Sequence, residues 1–240
     1  MRDHSDWDVL LKKYVTAQSL VDYQRWKQTG QPPLEHYVQA LASKWPTDLT
    51  PSEEKSALIN AYNALTVYWV LRNYPVESIW QTEHPFSAMR HRIDGRQASL
   101  NQIETRLRAL GDPRIHAALV CAARSCPPLR REAYVSQRMD RQLDDNTQAW
   151  LANAALNEFL PESHVVKVSK IFEWYVGDFK RADGSVEAFL ARYTPQTKAP
   201  IRAKSITLEY KSYNWGLNDT SQLGKSYSLI RFLWDYYWNE

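Results

Sequence analysis

The sequence has little of what marks several specialised protein classes. Two cysteines in 240 residues are too few for a disulfide-stapled scaffold. No apolar run approaches the roughly 18 residues that a membrane-spanning helix needs. The formal net charge of only +3 comes from interleaved basic and acidic residues, so the chain has no electrostatic footprint for nucleic acid. We therefore expect neither a nucleic-acid partner nor a membrane span.

Metal and cofactor sites are also not indicated by the sequence. The two cysteines are spaced C-x4-C with a single histidine nearby, which matches no common zinc pattern. We predict no metal ion and no cofactor. Residues 1–6 do not resemble a signal peptide. Had an export signal been removed, the chain would belong to the periplasm or the cell envelope, so the residues leave localisation open.

What the chain does have is aromatic bulk. Ten Trp and fourteen Tyr against only seven Gly indicate compact, aromatic-rich packing and not disorder. A chain of this length buries roughly 70 to 75% of its unfolded surface, which is enough for one good-sized core. We predict a single domain over residues 1–240.

The hydrophobic periodicity predicts mostly helices. The predicted helices cover residues 7–15, 34–45, 51–74 with Ser52 as N-cap, 99–110 with a capping box at Ser99, 129–160, 169–179, 186–193 and 229–238. Strands are predicted at 165–168 and 205–213, with a hairpin turn at Asp94-Gly95. The fold class is therefore α+β, a helix-dominated domain with a small antiparallel sheet.

Residues 112–129 form the most informative stretch, because they hold both cysteines and His116. A thiol and an imidazole together provide nucleophilic chemistry near neutral pH, since the base raises the thiolate fraction. The alternative is a buried apolar run that ends in a turn at Pro127-Pro128. Of the two thiols, Cys121 is the preferred nucleophile. Cys126 precedes the rigid double proline and is the structural or resolving partner.

Three more polar residues belong to the candidate site. Asn60 and Asn63 lie three residues apart on the long apolar helix, where amides need hydrogen-bond partners. They either tie down a loop or orient an imidazole, as an Asn does in Cys-His-Asn sites. Glu104 lies beside the apolar stripe of its helix, where it either orients His116 or forms a salt bridge with Arg108.

Spacing limits how the thiol and the imidazole can meet. His116 and Cys121 are five residues apart, so they face different sides of any unbroken helix or strand. A turn between them, or a histidine from elsewhere such as His84 or His91, is needed. A disulfide between Cys121 and Cys126 is the rival interpretation, and it would leave Cys121 without a thiol that can act as a nucleophile.

With these residues laid out, the chain resembles the DUF547 family, an uncharacterised group in bacteria and plants. The matching blocks include Asn-Ala-Tyr-Asn-Ala-Leu-Thr at 60–66 and Ser-Lys-Ile-Phe-Glu-Trp-Tyr at 169–175, followed by Asp178-Phe179. Further blocks lie at 99–108, 112–129, 133–144 and 213–218. The similarity spans about residues 7–218, and residues 219–240 are predicted to add a C-terminal helix.

The resemblance brings no established reaction. The combination of Cys, His and Asn is similar, in residue types only, to that of papain-like and transglutaminase-like enzymes. The order Asn60, His116, Cys121 would require a permuted arrangement of that site. The family commonly has Ile-Glu-His where this chain has Ile103-Glu104-Thr105. Bacterial relatives are often exported.

Two hypotheses follow for function. The first is a thiol-dependent hydrolase or acyl transferase that acts on an amide or ester of a small-molecule or peptide-like substrate. In it Cys121 attacks, His116 moves the proton, Asn60 or Asn63 holds the imidazole and Glu104 supports them. The second is a non-enzymatic ligand- or protein-binding module with a buried Asn/His/Cys network and an aromatic-rich cleft.

Overall fold

The computed structural model describes residues 3–160, 164–194, 206–225 and 227–240. Within these ranges the chain forms ten α-helices and five short strands, which confirms the helix-dominated α+β class. The helices are α1 (Ser5–Tyr14), α2 (Tyr23–Thr29), α3 (Gln31–Leu41), α4 (Pro51–Asn73), α5 (Leu100–Arg108), α6 (Met139–Ala152), α7 (Ile171–Trp174), α8 (Val176–Asp183), α9 (Val186–Tyr193) and α10 (Leu229–Asn239).

The strands form two small sheets. β1 (His91–Ile93) and β2 (Arg96–Ala98) make the predicted hairpin, with His91 opposite Ala98. β3 (Glu158–Leu160), β4 (Val165–Val168) and β5 (Thr207–Tyr210) make a second sheet in that order. Its β3–β4 pair is antiparallel and its β4–β5 pair is parallel. The expectation of an antiparallel sheet is therefore correct for the hairpin, and the second sheet is mixed.

Helix α4 is the central element, and its first turn explains where it begins. Thr50, and not the predicted Ser52, is the N-cap. Its hydroxyl accepts from the Glu53 amide while the Glu53 carboxylate accepts from the Thr50 amide, which satisfies donors that a helix start leaves free. Fourteen of the 23 residues of α4 are buried, so the helix is covered on most sides.

The stretch predicted as helix over 129–160 is helical only in α6 and in a short 3-10 turn at Ser136–Arg138. Upstream, side chains bind the backbone and replace helical hydrogen bonds. The amides of Ala133, Tyr134 and Val135 donate to Asp8, Asn60 and Gln142. Long-range partners thus hold this segment extended, which local periodicity cannot indicate.

The helix predicted over 169–179 is divided at Tyr175 into α7 and α8. Helix α8 ends at Gly184, whose positive φ of 84° closes the helix in the left-handed conformation. The strand predicted over 205–213 is observed at Thr207–Tyr210, and its predicted start at Ser205 lies outside the described residues.

Two groups of buried side chains make up the core. The larger surrounds α4 and includes Trp7, Trp26 and Leu65. The smaller packs α6, α8 and α9 against β4, with Phe172 stacked on Trp150 at 4.7 Å between ring centroids. Tyr213 packs against both groups. Tyr213 therefore marks the boundary between the two groups, where a cleft can form.

A short 3-10 turn, Pro113–Ala117, lies at the junction of the two groups. Asp112 caps it through the Arg114 amide, and the same carboxylate accepts from Lys55 at 2.6 Å and from the Arg114 guanidinium at 2.8 and 2.9 Å. Burial alone would raise the pKa of Asp112, but the bonds from Arg114 and Lys55 outweigh it and lower the pKa from 3.8 to about 2.

This ion cluster predicts a pH-dependent contribution to stability. Because the folded pKa lies below the unfolded value, the contribution is complete above about pH 4 and is lost as the pH falls towards 2. Asp112→Asn should lower the free energy of unfolding by about 2 kcal/mol at pH 7 and by much less near pH 2. Urea denaturation at both pH values measures this difference. The exposed Asp48→Asn is the control, and an equal loss at both pH values for Asp112→Asn would contradict the assignment.

Candidate functional site

A cavity of about 280 Å³ lies beside Tyr213, between the two buried groups. Aromatic rings make up much of its wall, and the polar side chains of Glu104, His116 and Cys121 also line it. The aromatic lining residues are Tyr62, Trp80, Phe86, Trp174, Tyr175, Tyr213, Trp215 and Tyr236. Three of the five predicted site residues thus meet at one cavity. Concave, mostly apolar sites with a few convergent polar groups are typical of small-molecule binding.

His116 is held rigidly at the inner wall of this cavity. Its Nε2 lies 2.9 Å from Asp178 Oδ2, and its ring stacks on Tyr175 with centroids 4.0 Å apart. The side chain is only 2% exposed. The imidazole therefore has a fixed position that does not depend on solvent.

Asp178 lies on α8 and also binds Arg108 of α5. Arg108 donates through Nε at 2.6 Å and through Nη2 at 3.2 Å. The hydrogen bond from His116, aided by Arg108 and opposed by burial, holds the pKa of Asp178 well below its usual range. An ionised carboxylate can only accept, so His116 Nε2 carries a proton. In the neutral ring, Nδ1 is then the nitrogen that can accept a proton.

The two cysteines are joined as a disulfide in this structure. Cys121 is half-buried at the cavity, whereas Cys126 is buried behind it. A turn with a positive φ of 64° at Ala122 folds the chain back between them. The rival interpretation of the pair is thus the state observed here, and in this state Cys121 has no thiol.

Hydrogen-bond donors surround both sulfur atoms. The amides of Cys121 and Ala123 donate to Cys126 Sγ at 3.1 and 3.3 Å. Tyr213 Oη lies 3.1 Å from Cys121 Sγ and 3.3 Å from Cys126 Sγ. Burial raises the pKa of Tyr213, so the phenol keeps its proton and can donate.

Asn60 and Asn63 are buried on α4 and clamp two backbone segments. Asn60 exchanges two hydrogen bonds with the Tyr134 backbone, at 2.8 and 3.0 Å. Asn63 donates to the Ala118 carbonyl and accepts from the Val120 amide, both at 2.9 Å. Both amides therefore match the alternative in which they tie down a loop by hydrogen bonding. Asp178, and not Asn60 or Asn63, is hydrogen-bonded to the imidazole.

Glu104 lies at the cavity and hydrogen-bonds Tyr175, the ring on which His116 stacks. Burial and this carboxylate together raise the pKa of Tyr175, which therefore stays protonated. Arg108 pairs with Asp178, so the alternative of a salt bridge between Glu104 and Arg108 is not the observed arrangement. Glu104 thus reaches His116 only through the Tyr175 ring.

His116 and Cys121 line the same cavity although they lie five residues apart in the chain. His116 lies in the 113–117 turn, and no regular helix or strand connects that turn to Cys121. His91 is buried in β1, where burial and then Arg90 lower its pKa to about 4. Neither His91 nor His84 is part of the cavity wall.

Sequence reasoning missed Asp178 and Tyr213 as site residues. Both lie in blocks that carried the family resemblance, 169–179 and 213–218. Their position in these blocks was the one indication in the sequence. The residues near Asp178 and Tyr213 in the chain do not show that each contacts an imidazole or a thiol more than 60 residues away.

Neither a cluster of metal-ligating side chains nor a membrane-spanning helix occurs in the part of the chain that the structure describes. Across residues 3–160, 164–194, 206–225 and 227–240, no group of three or more His, Cys, Asp or Glu side chains is placed to hold a metal ion. In the same ranges no helix has both the length and the apolar character needed to cross a bilayer.

Comparison with known proteins identifies one family. Residues 46–151 match the model of a family described as protein of unknown function, DUF547, which confirms the resemblance over that range. The matched range contains all five predicted site residues, whereas Asp178 and Tyr213 lie beyond it. No curated protein and no solved structure matches the chain.

The asparagine clamps predict a structural cost when they are removed. Asn63→Ala leaves the Ala118 carbonyl and the Val120 amide buried without a partner, so it should lower the free energy of unfolding by about 2–4 kcal/mol. Chemical denaturation measures this loss. The matched control is Asn101→Ala, since Asn101 is also helical but exposed. A change below about 0.5 kcal/mol for Asn63→Ala would contradict the clamp.

Proposed function

Since residues 46–151 are a DUF547 domain, whose family has no known function, we propose that the chain is a thiol-dependent hydrolase or acyl transferase. It acts on an amide or ester once the Cys121–Cys126 disulfide is reduced. The observation that carries the proposal is that Cys121 and the Asp178-bound His116 line one cavity. Nucleophile, base and a carboxylate that orients the base are the three roles of a catalytic triad.

Reduction of the Cys121–Cys126 disulfide would make the Cys121 thiol available for reaction. A dithiol reductant breaks the S–S bond, is itself oxidised to a disulfide, and leaves two thiols on the protein. Cys126 Sγ then keeps its two amide donors, and Cys121 Sγ keeps the Tyr213 phenol as a donor. Donors that favour a thiolate raise its population near neutral pH.

The chemistry then follows from the groups present. His116 Nδ1 takes the proton of the Cys121 thiol, and the thiolate forms a bond to the acyl carbon. As the carbon–nitrogen or carbon–oxygen bond breaks, the imidazolium returns the proton to the leaving amine or alcohol, and a thioester remains. Water or a second nucleophile then gives a proton to His116 and attacks the thioester carbon. The carbon–sulfur bond breaks, the acid or the new acyl product is released, and the imidazolium returns its proton to the Cys121 thiolate.

Asp178 is a positioning residue in this scheme. Its carboxylate holds the Nε2 proton, so that Nδ1 is free for the base role, and it stabilises the imidazolium that forms. Its second partner, Arg108, fixes the carboxylate in turn. The pair is buried from bulk water, which strengthens its electrostatic effect.

The thiol chemistry has a direct test in two cysteine variants. Cys126→Ser cannot form the disulfide and should react with iodoacetamide at pH 7 at least about 10-fold faster than a free peptide thiol. Cys121→Ser is the matched control, because its remaining Cys126 is buried. It should react slowly and should not turn over p-nitrophenyl esters. Equal, peptide-like rates for both variants would refute Cys121 as nucleophile.

A second prediction distinguishes a positioning role of Asp178 from a purely structural one. In the Cys126→Ser background, Asp178→Asn should slow alkylation of Cys121 at pH 7 at least about 10-fold and alter its pH profile, because the base loses its orientation. The control is Asp183→Asn at the end of the same helix, whose partner is Arg192. Circular dichroism verifies that both variants fold. An unchanged pH profile in folded Asp178→Asn would be contrary to the positioning role.

The alternative function is a non-enzymatic ligand- or protein-binding module. The observed disulfide favours it, because a permanently oxidised Cys121 leaves a packed network of His116, Tyr213 and Glu104 around an aromatic cleft. Under this alternative, reduced wild-type protein and Cys121→Ser bind the same aromatic ester with equal affinity and neither consumes it. Turnover by the wild type that Cys121→Ser lacks excludes the alternative.

A further inference from the structure

Helix α10 presents an apolar stripe to solvent along its whole length. Six large side chains spaced four residues apart in two adjacent rows are 54–81% exposed. We call them the α10 stripe, and they are Leu229, Ile230, Leu233, Trp234, Tyr237 and Trp238. Apolar patches of this size on a soluble domain mark an interaction surface.

The other face of α10 already has its partners. Phe232 stacks on Trp215 with centroids 5.4 Å apart, and Tyr236 packs edge-on against Trp80 at 4.9 Å. The Asn239 carbonyl accepts from the His84 amide at its far end. The helix is therefore anchored to the domain by one side, and the stripe is the side left uncovered.

The stripe itself carries no charge. The two charged residues of α10, Arg231 and Asp235, pair with each other at 3.2 Å, and Tyr227 also donates to Asp235 at 2.6 Å. Helices that lie on lipid surfaces carry several Lys or Arg on their polar face. With its single Arg already paired, α10 lacks that attraction, which favours a protein partner over an anionic membrane.

The order of residue sizes along the stripe fits a second copy of the same helix. Its first turn is aliphatic, with Leu229 and Ile230, and its last turn is aromatic, with Tyr237 and Trp238. If two copies pack antiparallel, the aliphatic end of each lies against the aromatic end of the other. Leu233 then faces Trp234 of the second copy at the centre. Opposing small and large side chains in this way fills an interface without voids.

The area also matches a stable pair. Large side chains offer roughly 150–250 Å² each when fully exposed, so at the fractions above the six present on the order of 800 Å². One partner in a standard protein interface contributes about that much. From size order, charge and area together, we infer that the chain forms a two-fold symmetric dimer through antiparallel contact of two α10 stripes.

Dimerisation would also hold one wall of the cavity in place. Tyr236 lines the cavity from α10, between the stripe and the domain. A dimer that fixes α10 therefore fixes one wall of the site. The inference does not depend on the chemistry proposed for Cys121, since it rests on residues outside that group.

Analytical ultracentrifugation of the purified chain over the micromolar range tests the inference. The wild type should sediment with twice the 28.0 kDa of one chain. Leu233→Glu and Trp234→Glu each place a charge at the centre of the interface and should raise the dimer dissociation constant at least about 100-fold. The matched control is Val9→Glu, which replaces an apolar residue that is 61% exposed on α1, and it should remain dimeric.

A mixing experiment tests the antiparallel register. Because position 233 faces position 234 of the other copy, an equimolar mixture of Leu233→Glu and Trp234→Lys should dimerise more strongly than either variant alone. A mixture no stronger than its components overturns the antiparallel arrangement. A wild type that stays monomeric at every concentration overturns the dimer, and so does one that is monomeric and co-sediments with phosphatidylglycerol vesicles.

Discussion

The carboxylate of Asp178 joins three parts of the chain that are far apart in sequence. It accepts from His116 in the 113–117 turn and from Arg108 on α5, and it lies itself on α8. Leaving a carboxylate so little exposed without a partner is costly, so these contacts stabilise the arrangement of the three elements. The position of the imidazole at the cavity depends on them and on its stacking against Tyr175.

Around this centre, the structure uses side-chain hydrogen bonds where regular elements end. Asn60 and Asn63 hold the segments that carry Tyr134 and Ala118, and Asp112 caps the turn that presents His116. Irregular backbone that is buried needs such partners, because its amides and carbonyls have no ladder or helix to satisfy them. The site is thus built on irregular segments that are nevertheless fixed, which suits a group that must keep its orientation.

The oxidation state of the sulfur atoms decides whether a thiol is present at the cavity. Joined to Cys126, as in this structure, Cys121 lines the cavity as half of a disulfide. In the function proposed above, reduction frees a Cys121 thiol at the cavity that His116 also lines, next to the protonated Tyr213 phenol. The donors around both sulfur atoms come from the backbone amides of Cys121 and Ala123 and from the buried Tyr213 side chain.

The amino-acid sequence by itself determined the elements that depend on neighbours along the chain. The capping box at Ser99, the Asp94-Gly95 hairpin and the C-terminal helix α10 are all local, and periodicity with capping and turn residues was enough to predict them. The resemblance to DUF547 was likewise readable from ordered blocks of residues, and the family model matches residues 46–151. Only the tertiary structure decided that Asp178 holds His116, that Tyr213 meets both sulfur atoms, and that the backbone at 133–135 bonds to side chains instead of forming a helix. Each of these contacts joins residues separated by 60 or more positions or competes with a local hydrogen bond, and no spacing rule along one chain encodes which distant partner wins.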